Sequence, residues 1–238
     1  NLNFPEVSIV GYGKSIEIFK QVGNPKDIVK KFKLEQLSGS HGIGHTRMAT
    51  ESAITIDGFE CAGHPGEDDI PSLVLLPQAA EALEVPVAGC GGFSDAKSLV
   101  AALALGGEAI VMGTRFMATK EAGIHQNVKD LMTEADERST NLMFRTMHNT
   151  ARVFKNSISD QVVEIESSGT AKFEDVKDLV AGQRGRVVFE EGDMEHGIWS
   201  AGISVARVKD IPTCDEMVSR LVSDAEEIID GRLQKVKA

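Results

Sequence analysis

The sequence predicts an α/β protein whose central part is built from parallel βαβ units, with a short α+β segment before it and a helical C-terminal region after it. Three observations carry this prediction. From Ile54 onward, apolar runs of strand length alternate with helical stretches across Gly-rich loops, which is the pattern of parallel βαβ units. Before Ile54, strands and one helix follow each other without that alternation. Beyond about residue 119 the strand signals fade and helical spacing dominates. The boundaries expected are therefore 1–53, 54–118 and 119–238.

In the first segment, "EVSIVGYGKSIEIF" alternates apolar and polar residues around Gly11 and Gly13, as two strands joined by a tight turn do. "NPKDIVKKFKLEQL" offers Asn24 as N-cap and Pro25 at the first helical position, with Ile28, Phe32 and Leu37 on one face. Another strand follows. In the second segment, "AITID" leads to a Gly-rich loop and a helix over Leu73 to Leu83. "VPVAG" leads to Gly91-Gly92 and a helix from Ser94 to Leu105, which Ser94 can cap and Gly106-Gly107 can end. "EAIVMG" leads to "TRFMAT" and a further helix. Near the C-terminus, Thr213 and Glu216 form a capping box before the amphipathic run Met217, Leu221, Val222, Ala225, Ile228 and Ile229.

Composition narrows the functional classes. The chain has 238 residues, 42% hydrophobic and 26% charged, enough to bury a core. A formal net charge of -11 would repel a phosphate backbone, so no nucleic-acid partner is expected. The longest apolar stretch, "SLVAALALGGEAIVMG", is interrupted by Glu108 and is too short to span a bilayer. With no leader pattern, the cytoplasm is the expected location. The chain begins at Asn1 rather than Met, so a start further upstream is expected. Cys61, Cys90 and Cys214 are odd in number and far apart, suiting neither a disulfide framework nor a zinc site. No metal site is expected.

Two places suit chemistry. In "ECAGHPGEDD", His64 lies just past a strand between small residues that let a flat ring approach the backbone, and an imidazole titrates near neutrality, so it suits a general base. A loop histidine that completes a hydrogen-bond network is the other reading. Glu67, Asp68 and Asp69 read as a helix-start cap or a solvated run. In "VAGCGGFSDAKS" and "IVMGTRF", glycine follows the strand where bare N–H groups can close around an anion, and in eight-stranded barrels the last two such loops commonly build a phosphate site. Gly91, Gly92, Gly113 and Thr114 are the candidates. Tight-turn glycines without a ligand are the alternative.

"TIDGFECAGHPGEDDIP", "GGFSDAKSLVAALALGGEAIVMGTRFMATKEA", "FRTMHNTARV" and "GDMEHGIWSAG" resemble the nitronate monooxygenases, also called 2-nitropropane dioxygenases, over residues 54 to about 235. The resemblance implies the last three βα units of a TIM (β/α)8-type barrel, FMN as cofactor, and a small-molecule nitronate with dioxygen as substrates. It also implies that His64 is the catalytic base, that Ala62 and Gly63 flank the isoalloxazine, and that Gly91, Gly92, Gly113 and Thr114 hold the FMN phosphate. A glutamine is expected after "SAG", where this chain has Ile203. A flavin enoyl or quinone reductase on the same barrel is a further reading.

Residues 1 to 53 resemble a different family through "HGIGHTRMATES": the class II glutamine amidotransferase domain of amidophosphoribosyltransferase and glutamate synthase. There Arg47 would pair with the glutamine carboxylate, as a bidentate guanidinium can. That family's nucleophile is an N-terminal cysteine, whereas the first cysteine here is Cys61. A full barrel of about 250 residues spends roughly 30 on each unit. Three units leave about five absent, so a junction near Ala53-Ile54 between two incomplete fragments is expected, arising from gene rearrangement or from sequence assembly. Weak FMN binding, or none, is then expected of the isolated chain.

Overall fold

The structure, a computed structural model, describes residues 7–12, 16–21, 41–46 and 53–236. The chain divides into two compact units, Asn1–Ala53 and Ile54–Ala238. In the first, β1 (Val7–Tyr12), β2 (Ile16–Gln21) and β3 (His41–Thr46) form an antiparallel sheet in the order β2-β1-β3. Tyr12 is in register with Ile16, as the short connection demands. The helix expected over residues 24–37, and Arg47, lie outside the described residues.

In the second unit, β4 (Ile54–Asp57), β5 (Val87–Cys90) and β6 (Ala109–Val111) form a parallel sheet in the order β4-β5-β6. Asp57 pairs with Cys90 and Cys90 with Val111, so the three carboxyl ends stand level and their following loops share one edge. The crossovers are α1 (Ser72–Ala82) and α2 (Ala96–Ala104). Leu76, Val87, Phe93 and Ala102 pack between these helices and the sheet, which fixes the edge apolar-side-in. A short helix, α3 (Thr114–Met117), follows β6.

Ser94 does not cap α2. Asp95 does: its carboxylate accepts from Ser98 N at 2.9 Å while Ser98 Oγ accepts from Asp95 N at 3.0 Å. A carboxylate satisfies the helix-start N–H groups more strongly than a hydroxyl. Ser94 Oγ is instead buried without a partner among the described residues. Gly106, at φ +89, follows the end of α2 as a left-handed residue should. At α1, the expected acidic cap is also displaced. Ser72 N donates to Glu60 Oε2 at 2.9 Å, so the carboxylate that serves this helix start comes from the loop before it rather than from residues 67–69.

The C-terminal region is less helical than its sequence suggests. After α4 (Gln126–Glu134), β7 (Thr140–Met143) and β8 (Ala151–Phe154) form an antiparallel hairpin. Its connection carries φ +63 at Phe144 and φ +50 at His148, so it lacks the Asn-Gly signature by which a hairpin is recognised. Then come α5 (Ser157–Glu166), α6 (Phe173–Val176), α7 (Gly182–Glu191), a 3-10 turn at Ile203–Arg207 and α8 (Cys214–Glu227). The capping box at the start of α8 forms, with Glu216 N donating to Thr213 Oγ1 at 3.1 Å and Thr213 N to Glu216 Oε2 at 2.8 Å. Ala225 packs against Ala96 and Val100, which lays α8 on α2. The main core of this region gathers Val128, Met132, Phe154, Val188 and Trp199, with Phe154 and Trp199 stacked at 4.4 Å.

Candidate functional site

At the carboxyl edge of β4-β5-β6 a cavity of about 140 Å³ opens, and Ala62, Gly91, Gly92, Gly113 and Thr114 all line it. Each reaches it for a local reason. Gly91 and Gly92 have φ +78 and +85, a turn that L side chains resist, and a Cβ at Gly91 would stand 2.8 Å from Gly58 O. Ser72, buried at the start of α1, donates its hydroxyl to Gly91 O at 2.7 Å and so ties the turn to the helix. Gly113, by contrast, has an ordinary φ of -92, and a Cβ there would meet nothing within 4 Å. Its lack of a side chain keeps space open rather than permitting a conformation.

The N–H groups of Gly92, Phe93, Gly113 and Thr114 have no acceptor among the described residues. Gly92, Phe93 and Thr114 are buried or half-buried, where N–H groups without partners are uncommon, whereas Gly113 is exposed and its N–H is open to water; several such groups around one hollow can receive an anion. Thr114, 6% exposed, adds a directed hydroxyl. Its Oγ1 accepts from Gly202 N at 2.9 Å, which leaves the hydroxyl proton to be given elsewhere.

The "SAG" segment closes the opposite wall. Gly202 and Ser204 line the cavity, and Ile203 N donates to Glu60 O at 3.0 Å. Ile203 thus meets the site loop through its backbone, where the resemblance led us to expect a polar side chain. Sequence reasoning had not placed Gly202, Ser204 or Ser72 at the site. The one signal in the sequence was the glycine of "WSAG"; the structure shows why it must be small, since a Cβ at Gly202 would stand 2.9 Å from Glu60 O.

Cys61 and Cys90 also border the cavity, flanking Asp57. Burial first, then the Asp57 carboxylate, pushes the Cys61 thiol up to about 12. Burial and the hydrogen bond to Asp57 push Cys90 up to about 12 as well. Both remain protonated near neutrality and are poor nucleophiles. Among the described residues no group of three or more His, Cys, Asp or Glu is arranged to hold a metal ion.

His64 and Gly63 do not line the cavity. His64 is exposed and makes no hydrogen bond to a described residue, so it completes no hydrogen-bond network among them. Gly63 is paired instead with Arg152 of β8, and two of the three exposed carboxylates that follow, Glu67 and Asp69, have partners. Glu67 accepts from Thr150, whose hydroxyl and N–H hold its carboxyl below the usual range, and Asp69 pairs with Arg145 at 2.8 Å.

The sequence model of nitronate monooxygenase matches residues 35–224. The chain belongs to the nitronate monooxygenase family. The match starts upstream of Ile54, while the family motifs quoted above lie beyond it. A probable nitronate monooxygenase of Bacillus subtilis is 25% identical over 216 residues, covering 84% of this chain and 61% of that protein. A (3aS,4S,5R,7aS)-5-hydroxy-7a-methyl-1-oxo-octahydro-1H-indene-4-carboxyl-CoA dehydrogenase of Rhodococcus jostii is 27% identical, covering 87% of this chain and 69% of the other. The chain thus spans between three fifths and seven tenths of these two relatives. Among solved structures, FabK from Thermotoga maritima superposes with a TM-score of 0.72 at 24% identity, over 88% of this chain and 61% of that one. The fold of this nitronate monooxygenase family member is accordingly of the α/β TIM-barrel type. The amidotransferase resemblance is confined to a short segment: GlxB of Rhizobium meliloti, named glutamine amidotransferase-like, is 63% identical over 51 residues, 21% of this chain and 17% of that protein. No helix among the described residues is long and apolar enough to cross a membrane.

Proposed function

We propose that the chain carries the phosphate end of an FMN site and acts, alone or once completed, in the oxidation of alkyl nitronates by dioxygen to a carbonyl compound and nitrite. The observation that carries this reading is the cradle of unpartnered N–H groups at Gly92, Phe93, Gly113 and Thr114 on a cavity at the strand carboxyl ends, where barrel enzymes hold phosphate. At about 140 Å³ the cavity suits a phosphate rather than a whole flavin, since pockets for such ligands run from about 300 Å³. The remaining wall belongs to the five barrel units read as absent, the chain supplying the last three.

In this reading Gly91 and Gly92 shape the turn, and Gly113 and Thr114 bring backbone and hydroxyl donors to the phosphate. Ala62 and Gly63 flank the ring with minimal bulk. FMN, when bound, supplies the electron transfer that links nitronate oxidation to dioxygen. His64 takes the α-proton when a neutral nitroalkane is offered, and its exposed ring leaves room for that substrate to reach it. Cys61 and Cys90 stay protonated and take no covalent part. The cytoplasm is the location that goes with this reading.

The second reading, a flavin-dependent reductase or dehydrogenase, is favoured by the likeness to the carboxyl-CoA dehydrogenase, 27% identical to this chain. Stopped-flow reduction separates the two. With FMN added, rapid reduction by ethylnitronate with nitrite release and slow reduction by NAD(P)H supports the monooxygenase. The reverse order rejects it in favour of the reductase.

A further inference from the structure

The loop that carries His64 is fastened to the β7–β8 hairpin at three separate points. Gly63 and Arg152 form a two-way backbone bridge, Gly63 N to Arg152 O at 3.0 Å and Arg152 N to Gly63 O at 2.6 Å. Thr150 gives both its donors to one carboxylate, N to Glu67 Oε1 at 2.7 Å and Oγ1 to Glu67 Oε2 at 2.6 Å. Arg145 donates to Asp69 at 2.8 Å. His64 stands between the first two fastenings and holds no partner of its own, so its place is set by its neighbours.

The two sides of these ties differ in rigidity. Thr150 is 1% exposed and Arg152 3%, whereas Glu67 is on the surface. Arg152 also reaches back to the loop's beginning, donating to Phe59 O at 2.9 Å with its guanidinium 4.6 Å from the Phe59 ring centroid. Gly63 and Gly66, at φ +76 and +83, bracket the His64-Pro65 step. A glycine on each side makes that step free to swing unless something beyond it is held. A carboxylate taking two short hydrogen bonds from one buried residue is such a hold.

We propose that Thr150 and Glu67 are positioning residues that keep the His64 imidazole at the carboxyl edge of the β4-β5-β6 sheet. The proposal rests on the reading of His64 as the base. Neither residue touches substrate; both act through the loop. A displaced base slows only a reaction that needs proton removal, because geometry governs proton transfer before pKa does.

The test compares nitrite release from nitroethane, which must lose its α-proton, with release from ethylnitronate, which has already lost it. The full chain is used with added FMN, as wild type and as Glu67→Ala, Thr150→Val and Thr150→Ser. The nitroethane-to-ethylnitronate ratio should fall about tenfold in Glu67→Ala and Thr150→Val, the worth of a charge-assisted hydrogen bond. Thr150→Ser should restore it. An unchanged ratio overturns the proposal, and so does an equal loss on both substrates, which would mark a merely structural role. If Glu67→Ala does not fold, Glu67→Gln, which keeps the shape without the charge, is read in its place. If wild type releases nitrite from neither compound, the functional reading falls separately, and hydrogen exchange of the Gly63 amide decides the proposal. Exchange about tenfold faster in the Glu67 variant supports the tie. Unchanged exchange overturns it.

Discussion

Alanine at Gly91 and alanine at Gly113 should have opposite consequences, although both glycines line the same cavity. Gly91 sits at φ +78, where an L side chain costs about 1–2 kcal/mol. Its new Cβ would also stand 2.8 Å from the backbone Gly58 O and 3.1 Å from Cys61 Cβ, neither of which can swing aside. Overpacking of that kind costs about 1–3 kcal/mol. Together the two give about 2–5 kcal/mol, a large part of an ordinary domain's stability. At Gly113 the backbone is already in the right-handed helical region and a Cβ meets nothing within 4 Å. Stability should therefore change by less than about 1 kcal/mol, with a small gain from restricting the unfolded chain. Gly113 lines the cavity, and if the added methyl crowds the phosphate away from one donor, losing that charge-assisted hydrogen bond weakens FMN binding by about tenfold to a hundredfold. Urea unfolding and FMN titration of both variants measure these effects. With a slope of about 2 kcal/mol per molar urea, Gly91→Ala should lower the midpoint by about 1–2.5 M and Gly113→Ala should leave it nearly in place. A neutral Gly91→Ala, or a Gly113→Ala that loses more than about 2 kcal/mol, would refute the reading of the two turns.

Two other predictions concern charge and thiols. Arg115, 5% exposed at its side chain, pairs with Asp210, and removing that partner in Asp210→Ala leaves a buried guanidinium on two backbone carbonyls. Asp210 is itself 44% exposed, so the loss should be about 1–2 kcal/mol by thermal unfolding, below that of a fully buried pair; no loss would show the pair to be idle. The same carboxyl is held below its usual range by the Arg220 hydrogen bond, opposed by burial and aided by Arg115. Its contribution is thus fully present above the unfolded carboxyl value near 4 and is lost as pH falls through the lower folded value. Acid titration of wild type should therefore lose more stability below about pH 4 than Asp210→Ala does. Cys61 and Cys90, pushed up to about 12, should alkylate about a thousandfold more slowly at pH 8 than an ordinary thiol, as peptide mass spectrometry of iodoacetamide-treated protein would show; modification at the unperturbed rate would contradict their burial beside Asp57.

The placement of the candidate glycine turns at one edge was legible because it is local. Gly91-Gly92 and Gly113-Thr114 each follow a short apolar strand directly, and parallel strands in register bring such loops to one edge whatever the rest of the chain does. The capping box of Thr213 and Glu216 was legible for the same reason, since both partners lie within one turn. What escaped depended on distant partners. The β7–β8 hairpin has four-residue strands and a seven-residue connection with no Gly or Pro and only Asn149 as a turn residue, and its pairing is stabilised by Arg152 reaching to Gly63 and Phe59. Glu67 reads as a surface acid until Thr150 is placed beside it. Asp95 displaced Ser94 at the cap because the choice turned on which side chain could reach Ser98 while the other was folded under. The exposure of His64 has the same origin: its surroundings are set by residues far along the chain.

The central claim is that the edge cavity recognises the phosphate of FMN, and comparing FMN with riboflavin tests it most directly. The two share the isoalloxazine and differ only at the phosphate, so titrating the full chain with each, by quenching of flavin fluorescence, isolates what the cradle contributes. Binding of FMN should be weak but saturable, and tighter than riboflavin by at least about tenfold, with the difference lost in Gly113→Ala, because each charge-assisted hydrogen bond is worth about 1.5–3 kcal/mol. Equal affinity for the two flavins, or a preference for FMN that survives Gly113→Ala unchanged, would contradict the assignment.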